Sequence, residues 1–366
     1  MRYTDLHLQR VAVAVGAERD HVHEALAAGR YEPEHAARTG QVSLAAAPGW
    51  TGPQLGATAG HRALEGLDPQ RDMVLHLHAT IHDPGADFWA PNAYVARELG
   101  LRRCMTFGVN AMSNSLVAGI ELAASTISAW PGQPSALVTA GDTFELPRFD
   151  RWRADAGMCY GDAGAAVSLG PAPGVAQLLS TASAADPELE GLNRGDQPWH
   201  ANEIARPPVQ LRPRKRAWVR ANGGPDEVTQ RNAACVTSAV KTALYEADTD
   251  LNEIAAVLAP HYGRDLLQEH VLTPVGITTT RTAASYGSQV GHLGASDQLA
   301  ALQYWCSQGR LQRGDRALLL GIGVGMTHTA AVVEIHDPAA VHPVAEAPRS
   351  PAVAKPSSAE QMGVSA

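Results

Sequence analysis

Two glycine-rich turns, each close to an apolar strand, mark matching points in two halves of the sequence. Gly161-Asp-Ala-Gly164 runs into an apolar stretch at 165–169, and Gly321-Ile-Gly-Val-Gly325 precedes another at 330–334. Glycines at such points let the backbone turn sharply and approach neighbours closely. Short apolar runs alternate with helical patterns in both halves. The first half predicts strands at 73–77, 106–109 and 136–140, with helices at 90–99 and 115–130. The second predicts helices at 226–246, 265–271 and 296–307 and strands at 255–258 and 317–320. That alternation argues for an α/β fold with buried sheets. Its recurrence suggests an internal duplication, with halves at 1–172 and 173–336. From 337 to 366 the chain turns rich in Pro, Ala and Ser, loses apolar period and reads as a disordered tail.

A chain of 366 residues is long enough to bury a large core or two fused ones. Its formal net charge of -8 gives no electrostatic footprint for nucleic acid or an anionic membrane. No run reaches the length of a membrane span, and residues 1–10 lack the apolar core of a signal peptide, so a cytoplasmic protein is expected. Cys104, Cys159, Cys235 and Cys306 are scattered, with no CxxC pair. They read as separate thiols and not as a disulfide framework or zinc site, and no metal is expected.

Five segments, in order, carry a family resemblance. Phe107-Gly-Val-Asn-Ala-Met-Ser113-Asn-Ser-Leu is similar to the nucleophile segment of ketosynthase III, in which a strand leads to Ala-Ala-Cys at the start of a buried helix. Tyr160-Gly-Asp-Ala-Gly-Ala-Ala166, Val257-Leu-Ala-Pro-His261, Ser285-Tyr-Gly287, and Gly314-Asp315 with residues 321–327 resemble the later motifs of that family. Together they span roughly 36–334. The resemblance implies a thiolase-like fold, internally duplicated, with five layers αβαβα, and a homodimer. It is nearest to serine-bearing relatives of anthracycline-type polyketide pathways, which choose a short starter acyl group such as propionyl.

What the resemblance implies for the site begins with Ser113, where the family has its cysteine. At a strand-to-helix junction, free backbone N–H groups favour developing negative charge. A hydroxyl does not ionise there unaided and needs a general base. Taken alone, Ser113 reads rather as a helix N-cap, which is common at such a junction. His261 matches the family's catalytic histidine and is the expected base. The family's asparagine should follow Tyr286-Gly287, but Ser288 stands there. Asp297, at the start of a predicted helix, is expected to orient His261 and complete a Ser-His-Asp set; His292 is a rival partner for that imidazole. The N–H groups of Ser113 and Val324 are expected to form the oxyanion hole, with Gly323 and Gly325 admitting the substrate.

For the acyl donor, Arg38-Thr-Gly40 matches a coenzyme A-contacting segment, although the family's tryptophan is replaced by Glu34. Arg212, Arg214, Lys215 and Arg216 form a dense basic cluster that reads equally as a carrier-protein or coenzyme phosphate contact and as a solvated loop. Arg264 is a further candidate. Phe88 matches a residue near the dimer interface that reaches the partner's acyl pocket; it reads equally as a core aromatic. No cofactor is expected. Coenzyme A or phosphopantetheine thioesters, as acyl-CoA or acyl-carrier protein, are the expected substrates. The expected chemistry is acyl transfer through an acyl-serine to a carrier protein, hydroxyl or amine. Decarboxylative condensation with a malonyl thioester is the alternative enzyme. A catalytically silent acyl-binding subunit is the alternative of another class.

Overall fold

The strand β1 (His7–Val15) lies at the centre of the fold, and every residue in it except Arg10 is buried. The computed structural model describes residues 1–132, 134–196 and 208–346. Its other strands are β2 (Glu18–His21), β3 (Ser43–Ala46), β4 (Met73–Ala79), β5 (Met105–Val109), β6 (Ser135–Asp142), β7 (Ala163–Gly170), β8 (Ala176–Ala185), β9 (Ile254–Leu258), β10 (Arg316–Gly323), β11 (Thr327–Ile335) and β12 (Ala345–Glu346). The large sheet runs β5-β4-β6-β7-β1-β8-β11-β10-β9, and β2 pairs with β3 separately.

One pairing scheme occurs twice in that sheet. Strand β1 pairs antiparallel with β7, β7 antiparallel with β6, and β6 parallel with β4. Likewise β8 pairs antiparallel with β11, β11 antiparallel with β10, and β10 parallel with β9. Strands β1 and β8 of the two sets pair through His7↔Gln177 and Leu8↔Ala176. Strand β5 extends the first set, parallel to β4.

Helices complete the layers. Helix α1 (Gly52–Ala63) covers β7, β6 and β1, and α5 (Pro225–Glu246) covers β8 and β11 on the other side. Between the two strand sets lie α3 (Ser115–Ser128) and α7 (Asp297–Ser307). The first touches β6 and β4 as well as β10 and β11; the second touches β1 and β7 as well as β9 and β10. A helix in that position must be apolar or small all round. Leu116, Val117, Ile120, Ala123 and Ala124 meet that need, and Leu299, Ala300, Ala301 and Leu302 do so in α7. Each fully buried Leu or Ile contributes roughly 1.5–3 kcal/mol. The arrangement is the five-layer thiolase-like α/β fold. Shorter helices are α2 (Pro91–Glu98), α4 (Leu211–Ala221) and α6 (Ala284–Val290).

The strands and helices expected from the sequence are present, and two central strands, β1 and β8, were not anticipated. The first part of the segment expected to be a disordered tail is structured. Asp337 caps a 3-10 turn at Pro338–Ala340, and β12 pairs parallel with β1 through Ala14↔Ala345 and Val15↔Glu346. Backbone pairing along the exposed length of β1 draws this Pro-rich segment onto the fold. Residues 347–366 of the expected tail lie outside the described residues. Among the described residues no helix is long and apolar enough to cross a membrane.

Candidate active site

The turn between β5 and α3 frees the Ser113 hydroxyl from any capping duty. Met112 sits at φ 52°, a left-handed conformation that turns the chain sharply. No side chain caps α3; Ser115 Oγ braces the turn instead, accepting from the Ala111 N–H at 2.7 Å and donating to the Met112 carbonyl at 2.6 Å. Asn114 anchors the turn to the second half by donating to Thr329 Oγ1 at 2.9 Å. Glycines are required where β10 passes this turn: a Cβ on Gly321 would collide with Asn114 Oδ1, and one on Gly323 with the Ala111 carbonyl. Ser113 Oγ instead lies 2.7 Å from Nε2 of His292.

His292 is held where the two halves meet. Its N–H donates to the Cys159 carbonyl at 2.8 Å, and its carbonyl accepts from the Gly161 N–H at 2.9 Å. A Cβ on Gly161 would strike the Val290 carbonyl, which explains the glycine after Tyr160. The Tyr160 ring meets the His292 ring edge-on at 5.3 Å. His292 Nδ1 is 2.5 Å from Asp297 Oδ2.

Asp297, fully buried at the first turn of α7, serves two imidazoles at once. Its Oδ1 is 3.0 Å from His261 Nδ1 and accepts from the Leu293 N–H at 2.8 Å. Its Oδ2 accepts from the His261 N–H at 2.8 Å besides meeting His292. Burial alone would raise this carboxyl, but the two imidazoles and their hydrogen bonds outweigh it and hold Asp297 below the ordinary carboxylate range. An ionised carboxylate only accepts, so the His292 proton sits on Nδ1 and Nε2 accepts from the Ser113 hydroxyl.

The structure thus changes one expected contact. Ser113 hydrogen-bonds to His292 and not to His261. His261 Nδ1 faces the Asp297 carboxylate and, at 3.2 Å, the Gly291 carbonyl, and its Nε2 is buried without a partner among the described residues. Asp297 meets Nδ1 of His261 and Nδ1 of His292 through its two oxygens. Sequence reasoning ranked His292 too low because it weighed that ring as a support for His261. The usable signal was its place after Gly291, whose φ of 81° aims the chain back toward Tyr160. Ser288 takes no part: its hydroxyl donates to the Ser285 carbonyl at 2.9 Å.

Ser113 opens on a cavity of about 200 Å³ that Val324, Met112, Phe144, Phe149, Tyr160 and Arg214 help to line. Val324 and Ser113 thus line one cavity. A second cleft of about 500 Å³, with Thr39, Gly40, Arg264 and Ser288 in its wall, lies further out. Tyr262 lines both. Arg38 is outside that lining, exposed and paired with Asp265 at 3.2 Å. Arg264 donates to the Ala37 carbonyl.

The basic cluster is not one docking face. Lys215 Nζ is 2.5 Å from Asp155, a carboxylate that is only 4% exposed. Arg212 bonds the Trp152 and Asp155 carbonyls. Arg214 donates to the Asn193 carbonyl at 3.3 Å and turns toward the cavity. These side chains are committed inward because α4 packs over the site, which a linear sequence does not reveal. Phe88 is not a core aromatic: it is fully exposed, at φ 52°. Cys159 is buried, and that burial pushes its thiol up to about 12.

Over residues 244–335 the chain matches the family described as 3-oxoacyl-[acyl-carrier-protein] synthase III C terminal. It is 29% identical over 293 residues to beta-ketoacyl-[acyl-carrier-protein] synthase III of Roseiflexus castenholzii (strain DSM 13941 / HLO8), covering 79% of this chain and 84% of the relative. A Streptomyces coelicolor relative, beta-ketoacyl-[acyl-carrier-protein] synthase III 2, is 28% identical over 292 residues, 78% of this chain and 80% of the relative. Among solved structures, ChlB3, named an acyltransferase, superposes with a TM-score of 0.84 at 31% identity, covering 92% of this chain and 99% of that one. FabH from Pseudomonas aeruginosa PAO1 superposes with a TM-score of 0.73 at 20% identity, over 91% and 98% of the two chains.

Proposed function

The chain belongs to the ketosynthase III-like family of the thiolase superfamily, and from that premise we propose that it is an acyltransferase working through an acyl-serine. The observation that carries this reading is the continuous chain from Ser113 Oγ to His292 at 2.7 Å and on to Asp297 at 2.5 Å. In the first step Ser113 Oγ attacks the carbonyl of an acyl thioester while its proton passes to His292 Nε2. Asp297 balances the imidazolium. The N–H groups of Ser113 and Val324 receive the oxyanion. Collapse expels the thiol of coenzyme A or a carrier protein, which takes the proton from His292. An acceptor thiol, hydroxyl or amine then attacks the ester, and His292 repeats the cycle in the second half-reaction. A place in polyketide or antibiotic assembly, supplying an acyl unit, fits this chemistry.

The cleft at Gly40 and Arg264 is the proposed entry for the donor's pantetheine arm, with Tyr262 between it and Ser113. A homodimer is proposed through β5, which among the described residues pairs only with β4 and leaves Met105 and Phe107 exposed, with Phe88 exposed as well. A silent acyl-binding subunit would have no use for a serine aligned on a buried His–Asp pair.

One observation favours a second reading. His261 turns Nδ1 to the same carboxylate, its Nε2 is buried without a partner among the described residues, and once protonated it could donate to a thioester enolate. The curated relatives bear the name of a condensing enzyme. Wild type and Ser113→Ala are incubated with acyl thioesters and read by intact mass and peptide mapping. Acyl mass on the Ser113 peptide, absent from the variant, is the expected result; no acylation of Ser113 overturns the proposal. Offering the acyl-enzyme malonyl-carrier protein beside simple acceptors separates the readings. Ketone and carbon dioxide formation outpacing transfer selects condensation.

A further inference from the structure

The wall of the Ser113 cavity includes three residues that each carry a buried polar atom without a partner among the described residues: His82 Nε2, Asn193 Oδ1 and Arg214 Nε. Buried polar atoms are ordinarily paired, and leaving one unpaired is costly. All three residues line the cavity that Ser113 also lines, and its wall further includes Met112, Phe144, Phe149 and Met158.

We propose that the acyl group carried by Ser113 bears a hydroxyl, and that Arg214 and Asn193 recognise it. The inference rests on the acyl-serine reading and names the class of acyl group. Arg214 Nε–H only donates, and Asn193 Oδ1 only accepts. The two residues are tied side by side, because Arg214 Nη1 donates to the Asn193 carbonyl at 3.3 Å. A hydroxyl answers both, accepting from one and donating to the other. An ammonium would answer Asn193 but be repelled by Arg214. A carboxylate would answer Arg214 but leave Asn193 Oδ1 facing a second acceptor. Asp155, also in the wall, is already taken by Lys215 at 2.5 Å and the Tyr160 hydroxyl at 3.2 Å, and as an anion it opposes a carboxylate further. His82, stacked on Phe144 with ring centres 5.9 Å apart and 16° between planes, offers a third polar atom for the same group. A plain propionyl or butyryl chain satisfies none of the three.

The test uses the whole protein and non-reacting pantetheine amides, read by calorimetry. The probes are butyryl with its 2-, 3- and 4-hydroxy forms, benzoyl with its 3- and 4-hydroxy forms, 4-aminobutyryl and succinyl. The expected result is that a hydroxylated amide binds at least about tenfold tighter than its parent, its amino analogue and its carboxyl analogue. Asn193→Leu and Arg214→Met should each reduce that preference to within about threefold. If parents bind as well as every hydroxylated partner, water satisfies the three polar atoms and the inference is overturned. A preference that survives both substitutions, or one for the amino or carboxyl probe, overturns it as well. The amides form no ester, so selective binding by an enzyme that fails to acylate Ser113 would sink the catalytic reading and leave this one standing.

Discussion

Replacing His292 by Gln should slow acylation of Ser113 far more than replacing His261 by Gln. His292 Nε2 is 2.7 Å from Ser113 Oγ, and its Nδ1 is 2.5 Å from a buried carboxylate. A glutamine in its place keeps a polar side chain but removes the proton acceptor. A positioned general base contributes about 10²–10⁴ in rate. At 1.36 kcal/mol per factor of ten, that is about 2.7–5.4 kcal/mol of barrier. His261 makes no hydrogen bond to Ser113, and its loss leaves Asp297 still holding His292 and accepting from the main-chain N–H groups of residues 261 and 293. His261→Gln should therefore slow acylation less than about tenfold, since it removes one of four contacts to the orienting carboxylate and none to the nucleophile. The assay is single-turnover: enzyme in excess over an acyl thioester, quenched at intervals, with the acyl-Ser113 peptide measured by mass and both variants matched to wild type by circular dichroism. Acylation by His292→Gln within tenfold of wild type, with His261→Gln the slower enzyme, would return the base to His261 and refute the reasoning.

Asp297→Asn, which exchanges an accepting oxygen for a donating amide at one of the two imidazoles and removes the negative charge from both, should lower acylation by about 10⁴ with the fold retained; an unchanged rate in the single-turnover assay speaks against a shared orienting carboxylate. Lys215→Met leaves the Asp155 carboxylate buried without its cation and should cost about 3 kcal/mol in a denaturant melt at pH 7, the low end for a broken buried pair because Lys215 is 26% exposed. Burial would raise Asp155, yet Lys215 and its hydrogen bonds hold it below the ordinary carboxylate value, so its stabilisation is present above the unfolded value near 4 and is lost as pH falls through the folded one. The gap between wild type and Lys215→Met should accordingly narrow on acidification; a constant gap from pH 7 to 3 contradicts the pairing. Phe107→Lys, placing a charge on the exposed edge of β5, should convert a dimer to monomers by light scattering. A wild type that is already monomeric removes the dimer proposal.

Much of the site was legible because it is local. The strand-to-helix passage at Ser113, the Pro-His step after β9 and the carboxylate at the head of α7 are each contained in a few residues of sequence. So are the glycines at 161, 321 and 323, whose need follows from turns and close approaches. The alternation of apolar runs announced the α/β class and its two halves, since buried parallel strands must be apolar on both faces. Strand β8 escaped notice because Ala176–Ala185 has only Leu178 and Leu179 as large apolar residues among small and polar ones, and it becomes a strand by pairing with β11 along its length.

Which imidazole reaches Ser113 was not legible, because it depends on chain segments about 130 residues apart. The Tyr160–Gly161 turn and the Gly291–His292 turn cross-bond through two main-chain hydrogen bonds, and that seam puts His292 against the serine while His261 is left facing the carboxylate. The basic cluster on α4 has the same lesson in charge: four cations in a row read as one surface patch until packing sends Lys215 to Asp155 and Arg214 to the cavity. Sequence determines which groups are available and what backbone each local turn demands. The tertiary structure decides which of two chemically identical side chains is within hydrogen-bond reach, because that choice is a matter of a few ångströms between elements that local propensity does not relate.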